Sequence, residues 1–364
     1  MKIGIYARGL SKKTGGVKEA IENISKAIID IAKDKDEIYI IHNLKEKYFN
    51  SPKKNVKEIL LKSSSKIICD YILAPKVINN LKLDVVVFPK NVIPFFVKTK
   101  KVLIVHDMIY YLPHLNAYKP LDTFYMKFMI KNSCQRADKI IAISQSTKRD
   151  LINILKIKKH QIKVVYWGTD NFFKKLPSEK LKTTKKKYSL NKDFIFYSGS
   201  ITPRKNIIRL VKAYNLAREK INLDLVITGT VLRKNKEEMR LISQSRGIKL
   251  VGFVPKEDLR NLYNLAKIYI YPSLYEGFGL PVLEAQACGC PVICSNTSSL
   301  PEVGKDSVYY INPYNEKDIA NAIIKLSTNP KLRKQLIKKG YQNIKRFSWK
   351  KSAQKILNVC RIIK

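Results

Sequence analysis

Two glutamates separated by seven residues form the part of the sequence best suited to chemistry. Glu276 and Glu284 lie in the stretch EGFGLPVLEA, after the β-rich run Ile268–Tyr271 and a Pro-Ser turn. A helix is predicted to start near Gly279, where free backbone N–H groups could bind a phosphate. Carboxylates repel phosphate but accept hydrogen bonds from sugar hydroxyls. The combination favours a nucleotide-sugar pocket, although either glutamate alone would be better explained as a capping or solvated acid.

A second predicted helix start is basic. The stretch GSITPRKN runs from Gly199 to Asn206 and follows the predicted strand Phe194–Tyr197. Its Arg204 and Lys205, with the free N–H groups of the helix start, could hold a diphosphate and neutralise it as it leaves. The alternative is a solvated basic turn, since the chain has 70 Lys and Arg against 29 Asp and Glu.

Composition limits the class of protein. A length of 364 residues favours two α/β domains. The six cysteines stand in apolar settings, and the spacing of Cys288, Cys290 and Cys294 does not fit a zinc knuckle. We therefore expect reduced, buried cysteines, a reducing compartment and no metal site.

The net charge of +41 suits an anionic partner, either nucleic acid or an anionic membrane surface. The basic residues are mostly lysines spread over nearly every predicted element, and no nucleic-acid recognition motif is present, so we expect no nucleic-acid partner. No apolar run approaches the roughly 20 residues of a membrane-spanning helix. Met1 leads directly into a predicted strand, so we expect no signal peptide and a cytoplasmic protein, either soluble or lying on a membrane.

Predicted strands alternate with predicted helices along the chain, which is typical of two doubly wound Rossmann-like domains. We place the first domain at residues 1–170, a lysine-rich linker at 171–192 and the second domain at 193–347. The predicted strands are Ile3–Tyr6, Ile38–Ile41, Val85–Phe88, Val102–Val105, Ala137–Ile143, Ile162–Tyr166, Phe194–Tyr197, Leu223–Thr228, Leu250–Val254, Ile268–Tyr271, Pro291–Ser295 and Ser307–Ile311.

Two further features of the first half concern ligands. Gly15 and Gly16 precede an amphipathic helix, where glycine permits close backbone approach, although a simple turn is the plainer explanation. His106 follows the buried strand Val102–Val105, on the edge where parallel sheets bind ligands, although a structural histidine is equally consistent with the residues alone.

The segment Tyr110–Met129 is rich in aromatic residues and also carries lysines. We expect most of it to be a loop followed by a core helix. A membrane-facing role for part of it is the alternative, because aromatic and basic residues together suit a membrane interface.

The strings EGFGLPVLEA, GSITPRKN and VLIVHDMIYYLP resemble the retaining glycosyltransferases of family 4, also called glycosyl transferases group 1. The resemblance covers nearly the whole chain and implies the α/β GT-B fold, two Rossmann-like doubly wound domains facing across a cleft. It also implies that a helix at 348–364 packs back on the first domain. In this chain Ser200 stands where many relatives have a further Arg, so fewer cations would hold the diphosphate.

Site residues follow from the resemblance. It implies catalytic roles for Glu276, His106, Lys205 and Arg204, with Glu276 and His106 at the sugar and the two cations at the diphosphate. It implies that the rest of the nucleotide sugar contacts Gly15, Gly16, Gly199, Gly229, Phe253, Val254, Phe278, Gly279, Leu280 and Glu284.

The resemblance implies an activity as well. A hexose of the mannose or glucose type would pass with retention, without a metal or other cofactor, from a nucleotide-diphosphate sugar such as GDP-mannose or UDP-glucose to a saccharide or lipid-linked saccharide. The acceptor would be set by loops such as Lys12–Gly16 and Pro89–Lys100. The alternatives are another GT-B enzyme, such as an epimerase or a phosphorylase, or a basic nucleic-acid-binding protein.

Overall fold

Two parallel β-sheets, of seven and six strands, organise the chain. The computed structural model describes residues 1–11, 15–231 and 236–363. Unit 1 comprises Met1–Tyr111, Tyr118–Gly168 and Ser348–Lys364, and unit 2 comprises Leu112–Ala117 and Thr169–Phe347. The predicted α/β class with two parallel-sheet domains is confirmed. Residues 171–192, predicted as a linker, fall within unit 2 and include a short helix.

The sheet of unit 1 has the strand order β3-β2-β1-β4-β5-β6-β7, and every neighbouring pair is parallel. The order runs in opposite directions from the pair β1 and β4, as in a doubly wound sheet. The strands are β1 Lys2–Tyr6, β2 Glu37–His42, β3 Val56–Leu60, β4 Val85–Phe88, β5 Lys100–Val105, β6 Lys139–Ala142 and β7 Ile162–Val164.

Helices cover the sheet of unit 1. Helix α1 (Gly16–Ile31) buries one apolar face and packs against α14 (Trp349–Ile362), whose Arg361 forms an ion pair with Asp36 at 3.0 Å. The C-terminal helix therefore belongs to unit 1. The other helices of unit 1 are α2 Lys66–Ile68, α3 Ala74–Asn80, α4 Pro120–Arg136 and α5 Gln145–Leu155.

Between α2 and α3 the helix widens into a π-helical turn, Cys69–Leu73. Pro75 lacks the N–H that would continue the α-helical ladder, which is consistent with a change of hydrogen-bond pattern at this point. The turn carries Asp70 into the interior. Its carboxylate accepts a hydrogen bond from the Tyr6 hydroxyl at 2.6 Å and pairs with Arg8 at 2.5 Å.

The sheet of unit 2 has the order β10-β9-β8-β11-β12-β13 and is also parallel. Its direction of winding changes between β8 and β11. The strands are β8 Phe194–Ser198, β9 Asp224–Thr228, β10 Ile248–Gly252, β11 Ile268–Tyr271, β12 Val292–Ser295 and β13 Tyr309–Ile311. The helices are α6 Lys182–Lys187, α7 Ile207–Ala217, α8 Lys236–Gln244, α9 Lys256–Leu265, α10 Leu280–Ala287, α11 Leu300–Gly304, α12 Glu316–Thr328 and α13 Pro330–Ile344.

All six cysteines are buried and unpaired, as predicted. Burial raises the pKa of the Cys134 thiol to about 12, so this side chain stays protonated and inert at neutral pH. No group of His, Cys, Asp and Glu that could hold a metal occurs within the ranges the structure describes. Over the same ranges, no helix is long and apolar enough to cross a membrane.

Gly229 is required by the fold itself. Its φ is +136°, and a Cβ placed there would lie 1.9 Å from the carbonyl oxygen of Gly199. We expect Gly229→Ala to lower the free energy of unfolding by more than about 3 kcal/mol, because both sterics and backbone conformation oppose the side chain. Denaturant titration would measure the loss. Gly252→Ala is the control, since Gly252 has φ +77° but no atom within 4 Å of its Cβ position. Equal losses in the two variants would refute the steric argument.

Candidate functional site

The site in unit 2 lies where the direction of winding changes. The loop after β8 carries Arg204 and Lys205, and the loop after β11 carries Glu276. Since β8 and β11 are adjacent and parallel, both loops leave the same edge of the sheet, where doubly wound proteins bind ligands. The topology thus brings together residues about 70 positions apart in sequence.

Glu276 pairs with both cations. Its Oε1 accepts hydrogen bonds from Arg204 Nη1 at 2.8 Å and from Lys205 Nζ at 2.5 Å. The carboxylate and the Lys205 side chain are about nine-tenths buried, whereas Arg204 is partly exposed. Two positive charges and one negative charge leave an excess of one positive charge at the edge of the sheet. Such an arrangement can bind an anion and also offer a carboxylate oxygen to a hydroxyl.

The ionisation of Glu276 couples this site to stability. Burial raises the pKa of Glu276, but Arg204 and Lys205 outweigh burial and lower it from 4.5 to about 2. The lowered folded-state pKa means that the ionised form favours folding. This contribution is fully present above about pH 5, is lost as the pH falls towards about 2, and amounts to about 3 kcal/mol.

We therefore expect denaturant midpoints to fall across that acid range, and more steeply in the natural chain than in Glu276→Gln. Comparing the two chains isolates Glu276 from other acids with lowered pKa values, such as Glu58 and Asp258. If the denaturant midpoints of the two chains fell equally with pH, the ion pairs with Arg204 and Lys205 would not lower the pKa of Glu276 as described.

Tyr271, which sequence reasoning missed, fixes the position of Lys205. Its hydroxyl lies 2.6 Å from Lys205 Nζ, and the ammonium also lies 4.6 Å from the centre of its ring. Tyr271 is 1% exposed, and burial raises its pKa well above its usual range, so it stays neutral. Its position in an apolar strand gave no sign of this contact. The ammonium is therefore held by two groups besides any ligand.

The two loops are also joined through the backbone. The Leu274 N–H donates to the Arg204 carbonyl at 2.8 Å, and Arg204 Nη1 donates to the Tyr275 carbonyl at 3.1 Å. Asn206, in the left-handed conformation before α7, donates to the Pro272 carbonyl at 3.1 Å. These bonds hold the cations in place, which lowers the reorganisation needed to stabilise a developing charge.

Helix α10 begins at Leu280, four residues after Glu276. Gly279, with φ +123°, precedes Leu280 at the first helical position, as the sequence predicted within one residue. Serines behind the loop hold it, since the Glu276 N–H donates to Ser298 Oγ at 2.9 Å and Ser299 Oγ lies 2.6 Å from the Phe278 carbonyl. The Phe278 ring is 4% exposed and packs against Phe347, so its side chain belongs to the core.

Glu284 lies one turn further along α10 and is partly exposed. It accepts a hydrogen bond from the Tyr263 hydroxyl at 3.1 Å, and that hydroxyl also lies 2.8 Å from Ser198 Oγ. These hydrogen bonds, from Ser198 through Tyr263 to Glu284, orient the carboxylate. Tyr263 and Ser198 are further residues that the sequence patterns did not single out, because Ser198 ends an apolar strand and Tyr263 lies on the buried face of the amphipathic helix α9.

The remaining candidates in unit 2 follow β8, β9 and β10. Gly199 has φ +146° and is in backbone contact with Gly229, so both glycines have a structural reason to be there whatever they bind. Phe253 is 61% exposed and Val254 is buried. An exposed phenylalanine at the ligand-binding edge offers a flat apolar surface on which a base could stack.

The candidates in unit 1 are one buried histidine and two exposed glycines. His106 is 6% exposed and its Nε2 lies 2.8 Å from the Pro89 carbonyl, which accepts only, so Nε2 carries the proton and Nδ1 remains an acceptor. Burial lowers the pKa of His106, which keeps the ring neutral. Gly15 and Gly16 are exposed at the start of α1, with no atom within 4 Å of either Cβ position. Residues 12–14 of the predicted acceptor loop lie outside the described residues.

Comparison with protein families adds two matches. The model described as Glycosyl transferases group 1 matches residues 178–343. The model described as Glycosyltransferase Family 4 matches residues 56–171. The two matches do not overlap; one lies in the later part of the predicted first domain and the other in the predicted second domain, and residues 1–55 lie outside both.

Two similar proteins of Escherichia coli are mannosyltransferases by name. The serotype-specific mannosyltransferase WbdA is 33% identical over 268 residues, which are 70% of this chain and 32% of WbdA. The O-antigen chain mannosyltransferase B is 30% identical over 253 residues, which are 68% of this chain and 66% of that protein. The match thus spans about a third of the length of WbdA.

Solved structures match the whole chain. A glycosyltransferase from Rickettsia africae ESF-5 has a TM-score of 0.74 at 19% identity and covers 100% of this chain and 98% of its own. HepE of Anabaena, solved in complex with UDP and glucose, has a TM-score of 0.75 at 19% identity and covers 99% of both chains. At these identities the likeness shows the fold.

Proposed function

Because the chain belongs to glycosyltransferase family 4 and has the GT-B fold, we propose that it transfers a hexose from a nucleotide-diphosphate sugar to a saccharide or lipid-linked saccharide acceptor. The names of both E. coli relatives favour mannose over glucose as the transferred sugar. The product would be a cell-surface polysaccharide or a glycolipid, made by an enzyme at the cytoplasmic side of a membrane.

The cluster of Arg204, Lys205 and Glu276 carries this proposal. In the proposed reaction the bond between the anomeric carbon and the diphosphate breaks, and negative charge accumulates on the departing phosphate. Fixed cations next to that phosphate stabilise the transition state more than the ground state. Arg204 and Lys205 supply such cations in contact with Glu276, which lies on the loop that leads into α10, and no metal is needed for that role.

Glu276 has two parts in this mechanism. In the free chain it neutralises part of the charge of the two cations; with donor bound, the diphosphate takes over that pairing and a carboxylate oxygen accepts from a sugar hydroxyl. Glu284, further along α10, would accept from the ribose hydroxyls, and Phe253 would contact the base. His106 would meet the sugar through its acceptor Nδ1.

We propose that transfer retains the anomeric configuration. The acceptor hydroxyl attacks the anomeric carbon on the face from which the diphosphate leaves, and its proton passes to the departing phosphate oxygen. No separate nucleophile is required, and this feature rests on the family resemblance.

The first test is thermal shift of the purified chain with GDP, UDP, ADP and their sugars, in the presence of a chelator. A ligand that binds the folded chain raises the melting temperature by linkage, so a selective response names the base. Incubation of the responding donor with acceptor saccharides, followed by NMR of the anomeric proton, then identifies the product. A product with inverted anomeric configuration would overturn retention. A thermal shift with donor that occurs without the chelator and disappears with it would overturn metal independence.

The alternative activities predict other products. An epimerase would alter the donor sugar without an acceptor, and a phosphorylase would require inorganic phosphate. A nucleic-acid-binding protein would instead bind unrelated duplexes tightly, with strong salt dependence, and would not respond to nucleotide sugars. A chain that responds only to duplex DNA would refute the proposal.

A further inference from the structure

Helix α4 of unit 1 is apolar on the side that faces water. Four large side chains occur at spacings i, i+3, i+4 and i+7, which place them on one face of the helix. They are Leu121, Phe124, Tyr125 and Phe128, with exposed fractions of 85%, 78%, 48% and 56%. The core helix predicted here does exist, but only its other face packs inward, through Met129, Ile130, Ser133 and Cys134.

The exposed face continues onto the neighbouring segment of α2 and the π-helical turn. Tyr71 joins the two, since its hydroxyl lies 3.0 Å from that of Tyr125 and its ring stacks on Phe95 at 5.8 Å. Around it Ile67, Ile68, Ile72 and Phe96 are 70%, 42%, 58% and 74% exposed. We define the apolar face as Ile67, Ile68, Ile72, Phe96, Leu121, Phe124, Tyr125 and Phe128.

Lysines border this surface. Helix α4 contains a single acid, Asp122, and the acid of the π-helical turn, Asp70, is buried in its pair with Arg8. Exposed lysines close in sequence to members of the apolar face include Lys66, Lys76, Lys98, Lys119 and Lys131. A contiguous apolar surface with a basic border is unusual on a protein that meets only water.

We propose that the apolar face docks this chain on an anionic lipid bilayer, with the aromatic and aliphatic side chains among the headgroups and the bordering lysines at the lipid phosphates. This is the chemistry by which interfacial helices bind membranes. A second copy of the chain fits less well, because a two-fold contact would bring like-charged borders together between two chains of net charge +41.

This docking would place unit 1 at the surface where a lipid-linked acceptor is held. Only that consequence rests on the proposed function. Binding to vesicles needs no donor, and the donor response in the thermal-shift test needs no vesicles, so the two proposals fail separately.

The test is flotation of the full chain with vesicles of phosphatidylcholine alone and of equal parts phosphatidylcholine and phosphatidylglycerol. We expect binding to the anionic vesicles, weakened by salt, and a loss of at least about tenfold in the partition coefficient of the double variant Leu121→Glu with Phe124→Glu. Both side chains are so exposed that the fold should not change, which the melting temperature would confirm.

The matched control is Leu216→Glu with Ile362→Glu, which changes the charge equally at two exposed apolar residues outside the apolar face. It should bind within about twofold of the natural chain if burial of the apolar face drives docking. Equal losses in the two double variants, or no binding by the natural chain, would overturn the proposal. The chain could instead fail to bind vesicles and form a concentration-dependent dimer. If only the Leu121→Glu, Phe124→Glu variant abolished that dimer, the apolar face would be assigned to contact with a second copy.

Discussion

Glu276→Gln is expected to reduce transfer by about 10²–10³-fold, since it removes the charge that positions two cations and that, in the proposed complex, meets the sugar. It should also lower the free energy of unfolding by about 3–5 kcal/mol, because Lys205 and Arg204 would be left in a largely buried site without their counter-charge. Activity should therefore be measured well below the melting temperature of the variant, with folding checked by circular dichroism.

Glu316→Gln is the matched control. Glu316 also pairs with a lysine of unit 2, Lys212, at 3.5 Å, but its side chain is 35% exposed. Exposed pairs contribute about 0–1 kcal/mol, so this variant should keep both stability and transfer. If a folded Glu276→Gln variant transferred sugar at the rate of the natural chain, Glu276 would have no part in the mechanism.

Lys205→Ala is expected to affect turnover more than donor binding. The ammonium faces the diphosphate in the proposed complex, and the charge on the departing phosphate grows in the transition state, so kcat should fall by about 10²–10³-fold while the KM for donor rises less. Steady-state kinetics with varied donor would separate the two effects.

Lys212→Ala, in helix α7 of the same unit, controls for the loss of one positive charge, because the Lys212 side chain is solvent-exposed. Tyr271→Phe provides an intermediate variant, because it keeps the ring beneath the ammonium and removes only the hydroxyl at 2.6 Å. A rise in KM with unchanged kcat for Lys205→Ala would mean that Lys205 contributes equally to ground-state and transition-state binding, contrary to the proposed role.

The sequence predicted the central strands well and the edge strands poorly. Strands β4 and β11 have the predicted bounds, because both faces of a central parallel strand are buried and leave an unbroken apolar run. Strand β3 (Val56–Leu60) lies at an edge, contains Lys57 and Glu58, and was missed. Strand β10, also at an edge, was predicted two residues too late at both ends, and its ladder shifts register near Gly252. The predicted bounds of β5, β6, β7 and β13 each differ from the observed bounds by two residues at one end.

Within the site, the charged residues could be identified from the sequence, but the side chains that hold them in place could not. Glu276, Arg204 and Lys205 stand in distinctive strings, and the structure brings them into direct contact. Tyr271 stands in an apolar strand that reads as core. The inward packing of Phe278 on Phe347 depends on a contact between residues far apart in sequence, which local patterns do not specify. The roles of all these residues in binding and transfer remain predictions.

The position of α14 has a consequence for how this chain folds during synthesis. Unit 1 begins at the first residue but is completed only by Ser348–Lys364, after nearly all of unit 2 has been made. Until then the surface of α1 that receives α14 has no partner on the ribosome-bound chain. We expect the earlier half of the sequence to stay incompletely folded, and open to chaperones, until the last helix emerges, so that the two units reach their native state almost together.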